Sequence, residues 1–325
     1  MNLKINFLGK EFKNPIVPAS GCFGFGYEFA DLYDINILGS ISCKGTTLNP
    51  RYGNPLPRIA ECPSGLINSI GLQNPGVDKV IREEFVKLAK VYNDKVIANV
   101  GGHSILEYTE TVKKLNNCDQ VFAIELNISC PNVSGGGMAF GVDPDTAYNL
   151  VMEVRKVCKK PLIVKLSPNV TSIIDMAKAV EAAGADAISL INTMVGMRIN
   201  LKTGQPIISV KKGGYSGPGI FPVAVRMVYQ VSHAVKLPII GMGGIICAED
   251  ALEFIMAGAS AVEIGQAKFT NPNVAIDIQN GLRTFMKSHG YHNLSEMRGI
   301  AQVARHNKAH TDEKGRFADL HAMMK

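Results

Sequence analysis

One thiol and two amides fall within six residues at Asn127-Ile128-Ser129-Cys130-Pro131-Asn132. They follow the apolar run Val121-Phe122-Ala123-Ile124-Glu125-Leu126 and precede Gly135-Gly136-Gly137. A buried strand that gives way to a glycine-bearing loop is where barrel enzymes hold their reacting groups. A cysteine in that place can be a nucleophile, a base, a metal ligand or a packed side chain. No histidine stands nearby in sequence to activate it as a nucleophile. No second cysteine or histidine stands at metal-ligand spacing. The residues of this run leave its role open.

The ends of the other strand-like runs carry a matching set: Ser20, Lys44, Asn99, Asn127, Lys165, Asn192, Gly243-Gly244 and Gly265-Gln266. Asparagine and glycine also terminate strands for conformational reasons alone. That explains any one of these positions, but poorly explains so many side chains able to read polar ligand edges. Gly241-Met242-Gly243-Gly244 precedes a helical pattern, and Gly265-Gln266-Ala267 follows the last apolar run. Backbone amides beside helix starts cradle phosphate, and these two places are the usual phosphate site of a barrel. Lys165 ends the apolar run Leu162-Ile163-Val164-Lys165-Leu166. A lysine desolvated there needs an anionic partner or a depressed pKa. Lys44 would serve a second anion, such as a carboxylate. The asparagines suit a planar heterocycle with alternating carbonyl and N–H groups, because an amide both donates and accepts.

Positioning these residues takes alternating strands and helices. Strands are expected at 15–18, 40–43, 96–100, 123–127, 162–165, 187–191, 238–242 and 261–264. Helices are expected at 77–92, 104–116, 143–158, 173–183, 222–235, 248–257 and 272–288. Ile173, Ala177, Val180 and Ala183 recur at the spacing of a helix that lays one face on a sheet. Eight such units imply a closed parallel sheet, an α/β (β/α)8 TIM barrel, rather than an open doubly wound sheet. Segments 3–5 and 10–12, pivoting at Gly9, read as an N-terminal hairpin that caps the barrel floor. Two connections, 44–76 and 193–221, are too long to be mere joints and read as active-site loops. Residues 1–300 form one domain in this reading, and 301–325 a polar, basic C-terminal tail without an assigned role.

The chain has 325 residues, 46% hydrophobic and 19% charged, enough for a large core. Its net charge of +6 comes from interleaved signs, a hint of an anionic ligand rather than a nucleic-acid footprint. There is no tryptophan, and the seven cysteines are scattered without a CxxC pair. That pattern speaks against zinc or an iron–sulfur cluster held by this chain alone and suits a reducing, cytoplasmic setting. No apolar run is long enough for a membrane span.

Five motifs then carry a resemblance: Pro18-Ala-Ser-Gly-Cys-Phe-Gly-Phe-Gly26, Asn68-Ser-Ile-Gly-Leu-Gln-Asn-Pro-Gly76, Asn127 to Asn132, Val164-Lys-Leu-Ser-Pro-Asn169 and Gly241-Met-Gly-Gly244. Together they resemble the dihydroorotate dehydrogenases, most closely the catalytic subunits of the class 1B, NAD-linked form. The likeness runs from the N-terminus to about Ser288. It implies FMN-dependent oxidation of dihydroorotate to orotate in pyrimidine biosynthesis. Hydride would leave C6 for flavin N5 while a base, matched here by Cys130, removes the C5 proton. The catalytic pair would be Cys130 and Lys165, with Lys165 beside the N1/O2 edge of the flavin. FMN would be held by Ser20, Lys44, Gly45, Asn99, Asn127, Lys165, Ile191, Gly217, Gly243, Gly244, Gly265 and Gln266. Substrate would be held by Lys44, Asn68, Ser69, Ile70, Gly71, Leu72, Asn127, Asn132, Asn192 and Thr193. Glycines 135–137 would let the Cys130 loop open and close. Gly45 and Gln266 depart from the alanine and threonine or serine more usual in such proteins, changes that backbone contacts to phosphate would survive.

The resemblance also implies a partner subunit with FAD and a 2Fe-2S cluster that passes electrons to NAD+. The assembly would be a heterotetramer of two catalytic and two electron-transfer chains around a homodimer core. This chain carries no nicotinamide fingerprint of its own. Related alternatives are a fumarate-linked class 1A enzyme and a dihydropyrimidine dehydrogenase-like flavoenzyme. From a different class, a flavin-binding barrel without turnover would be an assembly partner.

Overall fold

The structure is a computed structural model and describes residues 1–129 and 140–303. Seven parallel strands form one continuous sheet. In spatial order they are Ile16–Pro18, Ala261–Ile264, Ile239–Met242, Ala187–Leu190, Leu162–Lys165, Val121–Asn127 and Val96–Val100. The expected strand at 40–43 is not regular. It lies between the two edges as bridging backbone: Ser42 N donates to Pro18 O at 3.3 Å, and Cys43 N donates to Ile97 O at 2.9 Å. This segment closes the ring: Lys44 N donates to Gly24 O on one side, and on the other Thr46 N donates to Asn99 O at 2.9 Å and bridges to Val100. The result is the expected α/β TIM barrel.

Helices pack outside it, at Ile105–Asn116, Pro144–Val157, Ile173–Ala182, Phe221–Ala234, Ala248–Met256 and Val274–His289. Their starts follow elementary capping. Ser104, Asp143 and Ser172 each accept an N–H from three residues on, and Pro144 occupies the first helical position. Residues 77–88 depart from a plain helix. Short α-turns at Val77–Lys79 and Phe85–Leu88 flank a π-helical Val80–Glu84, and the helix stops short of Tyr92. The bulge places the buried Glu84 carboxylate where Tyr27 Oη donates to it at 2.7 Å and Lys87 Nζ at 3.2 Å.

The N-terminal hairpin pairs Ile5–Phe7 with Lys10–Phe12, two residues later on its first arm than the hydrophobic pattern indicates. Phe7 and Phe12 insert among Val17, Ile97, Ala123, Ile163, Ala187, Ile240 and Ala261, the innermost residues at the start of each strand. They plug the barrel floor.

The two long connections are not loose. Ile59–Cys62 and Gly65–Asn68 from the first, with Met194–Gly196 and Gly213–Ser216 from the second, form a four-stranded antiparallel sheet. A small ribbon, Ile199–Asn200 with Gln205–Pro206, projects beside it. Gly217 makes the join possible. A Cβ there would stand 2.5 Å from Gly65 Cα, and its φ of +118° is one that side chains avoid.

Candidate active site

Along each barrel strand, alternate residues point inward. Two positions above the apolar floor the inward residues change character: Ile97 gives way to Asn99, Ala123 to Glu125, Ile163 to Lys165, Ala187 to Ser189 and Ala261 to Glu263. All five are buried. A polar layer thus lies under the mouth.

Lys165 is its centre. Its Nζ is 3.2 Å from Glu263 Oε2 and 3.7 Å from Glu125 Oε2, with both carboxylates fully buried. Burial opposes the lysine charge, but the two carboxylates outweigh it and hold its pKa above the ordinary value. The sequence-based requirement for an anionic partner is met twice over, and the depressed-pKa alternative is not. Glu125 is well satisfied. It accepts from Ser42 Oγ at 3.0 Å, Asn99 Nδ2 at 2.5 Å and Ser189 Oγ at 2.7 Å. Burial works to raise its pKa, yet Lys165 and these donors bring the net value down. Glu263 lacks such support. Among the described residues its Oε1 has no hydrogen-bond partner, and burial with Glu125 alongside pushes its pKa up to about 8.

Lys44 is the second cation of the site. It is half-buried, and no ion pair joins it to a described residue. Burial lowers its pKa, and Arg58 adds like charge. An ammonium held in this way is completed by an anionic ligand. Asn99 Oδ1 is buried with no partner among the described residues, so it too has an unmet bond there. Beside it, a Cβ on Gly45 would stand 2.9 Å from that oxygen, which accounts locally for glycine in place of alanine.

Around the rim, Asn127 Oδ1 accepts from Ser129 N and Oγ, and Tyr108 Oη donates to Asn127 O at 2.8 Å. Asn192 Nδ2 donates to Ser129 Oγ at 2.5 Å, while Asn192 Oδ1 receives Thr193 N. Asn169 Nδ2 donates to Thr193 O and Asn169 Oδ1 accepts from Val195 N. Asn127, Asn192 and Thr193 are therefore brought into one network. Asn68 Nδ2 donates to Gly214 O, and Ser69 is tied to Asn54. Gly71 and Leu72 both have positive φ, +78° and +55°, and the Leu72 side chain reaches the Gly45 and Gly101 backbone. The Asn68–Leu72 segment thus leans toward Lys44 and Asn99. Ser20 and Ile191 are buried near the strand ends.

Gly243 and Gly244 have φ of +126° and +82°, and a Cβ on Gly244 would lie 2.7 Å from Phe221 Cβ. The helix that follows them begins at Ala248, as expected, and Asp250 accepts the N–H groups of Ile246 and Cys247 just ahead of it. The glycine backbone itself and Gly265-Gln266, ahead of the short helix Ala267–Thr270, are the segments that could meet a phosphate. Gly265 has room above it, with the nearest atoms 3.6–3.7 Å from a notional Cβ. Gly217, by contrast, is explained by the sheet joint described above.

Cys130, Asn132 and glycines 135–137 lie outside the described residues. The chain on either side of them is drawn together. A Cβ on Gly141 would fall 2.3 Å from Ile128 O, and Phe140 packs edge-on to Tyr108 at 5.9 Å.

Sequence reasoning missed Glu125, Glu263, Ser42, Ser189, Tyr108 and Lys268 as parts of the site. The signal for the two glutamates was present: a charged residue inside an otherwise apolar strand, as for Lys165.

The family model described as dihydroorotate dehydrogenase matches residues 2–286. The chain belongs to the dihydroorotate dehydrogenase family. Among its relatives is the protein named dihydroorotate dehydrogenase B (NAD(+)), catalytic subunit, of Anoxybacillus flavithermus. It is 54% identical over 297 residues, which is 91% of this chain and 95% of that one. The proteins of the same name from Malacoplasma penetrans and Bacillus pumilus are 53% and 52% identical, again over 91% of this chain and over 97% and 96% of theirs. Membership covers the whole barrel, so the Lys165 layer and the glycine rim of this dihydroorotate dehydrogenase family member fall inside the matched region.

Proposed function

We propose that this chain oxidises dihydroorotate to orotate in pyrimidine biosynthesis, with FMN as its own cofactor and a partner subunit as electron acceptor. The observation that carries the reading is the pair of ammonium groups at the mouth. Lys165 is held within the barrel, and Lys44 stands above it with no ion pair to a described carboxylate. Lys44 calls for an anion, the substrate carboxylate, and Lys165, already paired with Glu125 and Glu263, would face the flavin edge that turns negative on reduction.

The residues fit FMN. The unpartnered Asn99 Oδ1 accepts from a ring N–H, and Lys165 faces the pyrimidine edge that gains negative charge. Gly243, Gly244, Gly265 and Gln266 supply backbone for the phosphate, with Ser20, Gly45, Asn127, Ile191 and Gly217 along the cofactor. Bound there, FMN supplies the two-electron acceptor for the hydride that leaves C6. Lys44 orients the substrate carboxylate, while Asn68 to Leu72, Asn127, Asn132, Asn192 and Thr193 hold the ring. Cys130 Sγ takes the C5 proton as the base.

Residues 1–300 act as one FMN domain in this reading, and 301–325 carry no assigned role. A partner with FAD and a 2Fe-2S cluster takes electrons on to NAD+, in a heterotetramer around a homodimer of this chain. The location is cytoplasmic; among the described residues no helix is long and apolar enough to cross a membrane. The test is acceptor use by the purified single chain. A dye should support dihydroorotate turnover, whereas NAD+ and fumarate should not. Robust NAD+ reduction by this chain alone would sink the partner assignment, and fumarate use would place it with the class 1A enzymes.

A further inference from the structure

Two carboxylates share one lysine inside this barrel. Glu125 is held by three donors besides Lys165, so its charge is provided for. Glu263 has Lys165 at 3.2 Å and the Glu125 carboxyl as its hydrogen-bond neighbours, and its Oε1 is buried with no partner among the described residues. It sits on the strand next to the first one, directly ahead of Gly265-Gln266, and is 1% exposed. Nothing in the proposed chemistry uses it.

We propose that Glu263 is a positioning residue that governs how much of the Lys165 charge reaches the barrel mouth, and thereby the reduction potential of the bound flavin. The inference rests on the FMN reading of the site. An ionised Glu263 competes with the flavin for the same ammonium. A neutral Glu263 leaves that ammonium to the anion above it. Reduction adds negative charge at the Lys165 end of the flavin, so an ionised Glu263 must disfavour it.

The groups that face Glu263 decide when it ionises. Glu125 and Lys165 come from neighbouring barrel strands, Lys268 from the short helix after Gln266, and Cys22 from the first loop. Burial and Glu125 raise the Glu263 pKa to about 8 against the pull of Lys165. Lys268 is buried over the Phe23 ring at 5.1 Å and donates to Ile264 O, and burial lowers its pKa to about 7. Burial raises the Cys22 thiol above its ordinary value against the pull of the nearby lysines. Two groups therefore titrate close together, and each needs its own variant.

The experiment is a spectroelectrochemical titration of the FMN-loaded protein between pH 6 and 9.5, for wild type, Glu263→Gln and Lys268→Met. Glutamine imitates the protonated carboxyl. At pH 6 Glu263→Gln should match wild type. At pH 9 it should hold about tenfold more reduced flavin at the same solution potential, ~30 mV more positive for a two-electron couple. The wild-type potential should bend near pH 8, Lys268→Met should keep the bend, and Glu263→Gln should lose it. Superposable wild-type and Glu263→Gln profiles overturn the proposal, as does a bend lost in Lys268→Met and kept in Glu263→Gln. A Glu263→Gln chain that fails to fold leaves the wild-type curve as the test, and no bend between pH 7 and 9 then refutes it. Protein that folds but takes up no FMN refutes the site reading instead.

Discussion

Replacing Lys165 by methionine keeps an unbranched apolar stem and deletes the ammonium, with its charge and its donors. The ammonium stands 3.2 Å from Glu263 and 3.7 Å from Glu125, with side-chain exposures of 5% and 0%. At an effective dielectric near 20, a pair at such a distance is worth ~4 kcal/mol. Removing one partner of a buried pair costs about 3–5 kcal/mol, because the other charge is left uncompensated. The desolvation of the ammonium disappears with it, which favours the lower end, ~3 kcal/mol at pH 8. The sign of the pH dependence follows from the survivors. Without Lys165, Glu263 loses an influence that lowers its already raised pKa, and Glu125 loses the strongest influence holding its own below the usual 4.5. A carboxyl raised in this way contributes stability that is full below about pH 4.5 and is lost as pH rises through its folded value. The wild-type lysine, raised above its usual 10.5, stays charged throughout. Lys165→Met should accordingly be near wild type at pH 5, within ~1 kcal/mol, and worst at pH 8 and above. Urea unfolding of both proteins, stripped of flavin, at pH 5, 6.5 and 8 measures this. An equal loss at all three values, or no loss at pH 8, would refute the ion-pair reasoning.

Cys130→Ala should retain yellow, FMN-loaded protein and slow flavin reduction by dihydroorotate by about 10²–10⁴-fold, read by stopped-flow absorbance; unchanged kinetics rule Cys130 out as the base. Gly244→Ala places a Cβ 2.7 Å from Phe221 Cβ at a φ of +82°. It should cost ~1–3 kcal/mol of stability and weaken FMN retention, checked by unfolding and by fluorescence titration of released flavin. Tyr108→Phe removes the bond to Asn127 O and should cost ~1 kcal/mol with FMN content unchanged.

Much of the barrel is legible from sequence because each strand is an apolar run and each helix has a capped, periodic pattern. The boundaries of Val96–Val100, Leu162–Lys165 and Ala261–Ile264 agree with the apolar runs expected at 96–100, 162–165 and 261–264. The segment at Ser40–Cys43 has the same composition, but it bridges two edges with irregular bonds that no local pattern encodes. The antiparallel sheet of the long connections was hidden for a related reason. Its strands span 3–4 residues, and Gly65–Asn68 finds its partner Gly213–Ser216 nearly 150 residues away. Lys165 announced its need for a counter-charge. Glu125 and Glu263 stand out as charges inside apolar strands, but that they are the residues that answer Lys165 depends on inward alternation and strand register. The capped start of Ala248–Met256 was likewise readable after the fact, from Asp250 three residues past Cys247.

The account turns on whether this barrel takes electrons from dihydroorotate into its own flavin. Anaerobic addition of dihydroorotate to the FMN-loaded chain, followed at the flavin absorbance, tests that directly. The account predicts stoichiometric bleaching and matching orotate, with colour restored by a dye. Bound flavin that dithionite bleaches and dihydroorotate does not would contradict it.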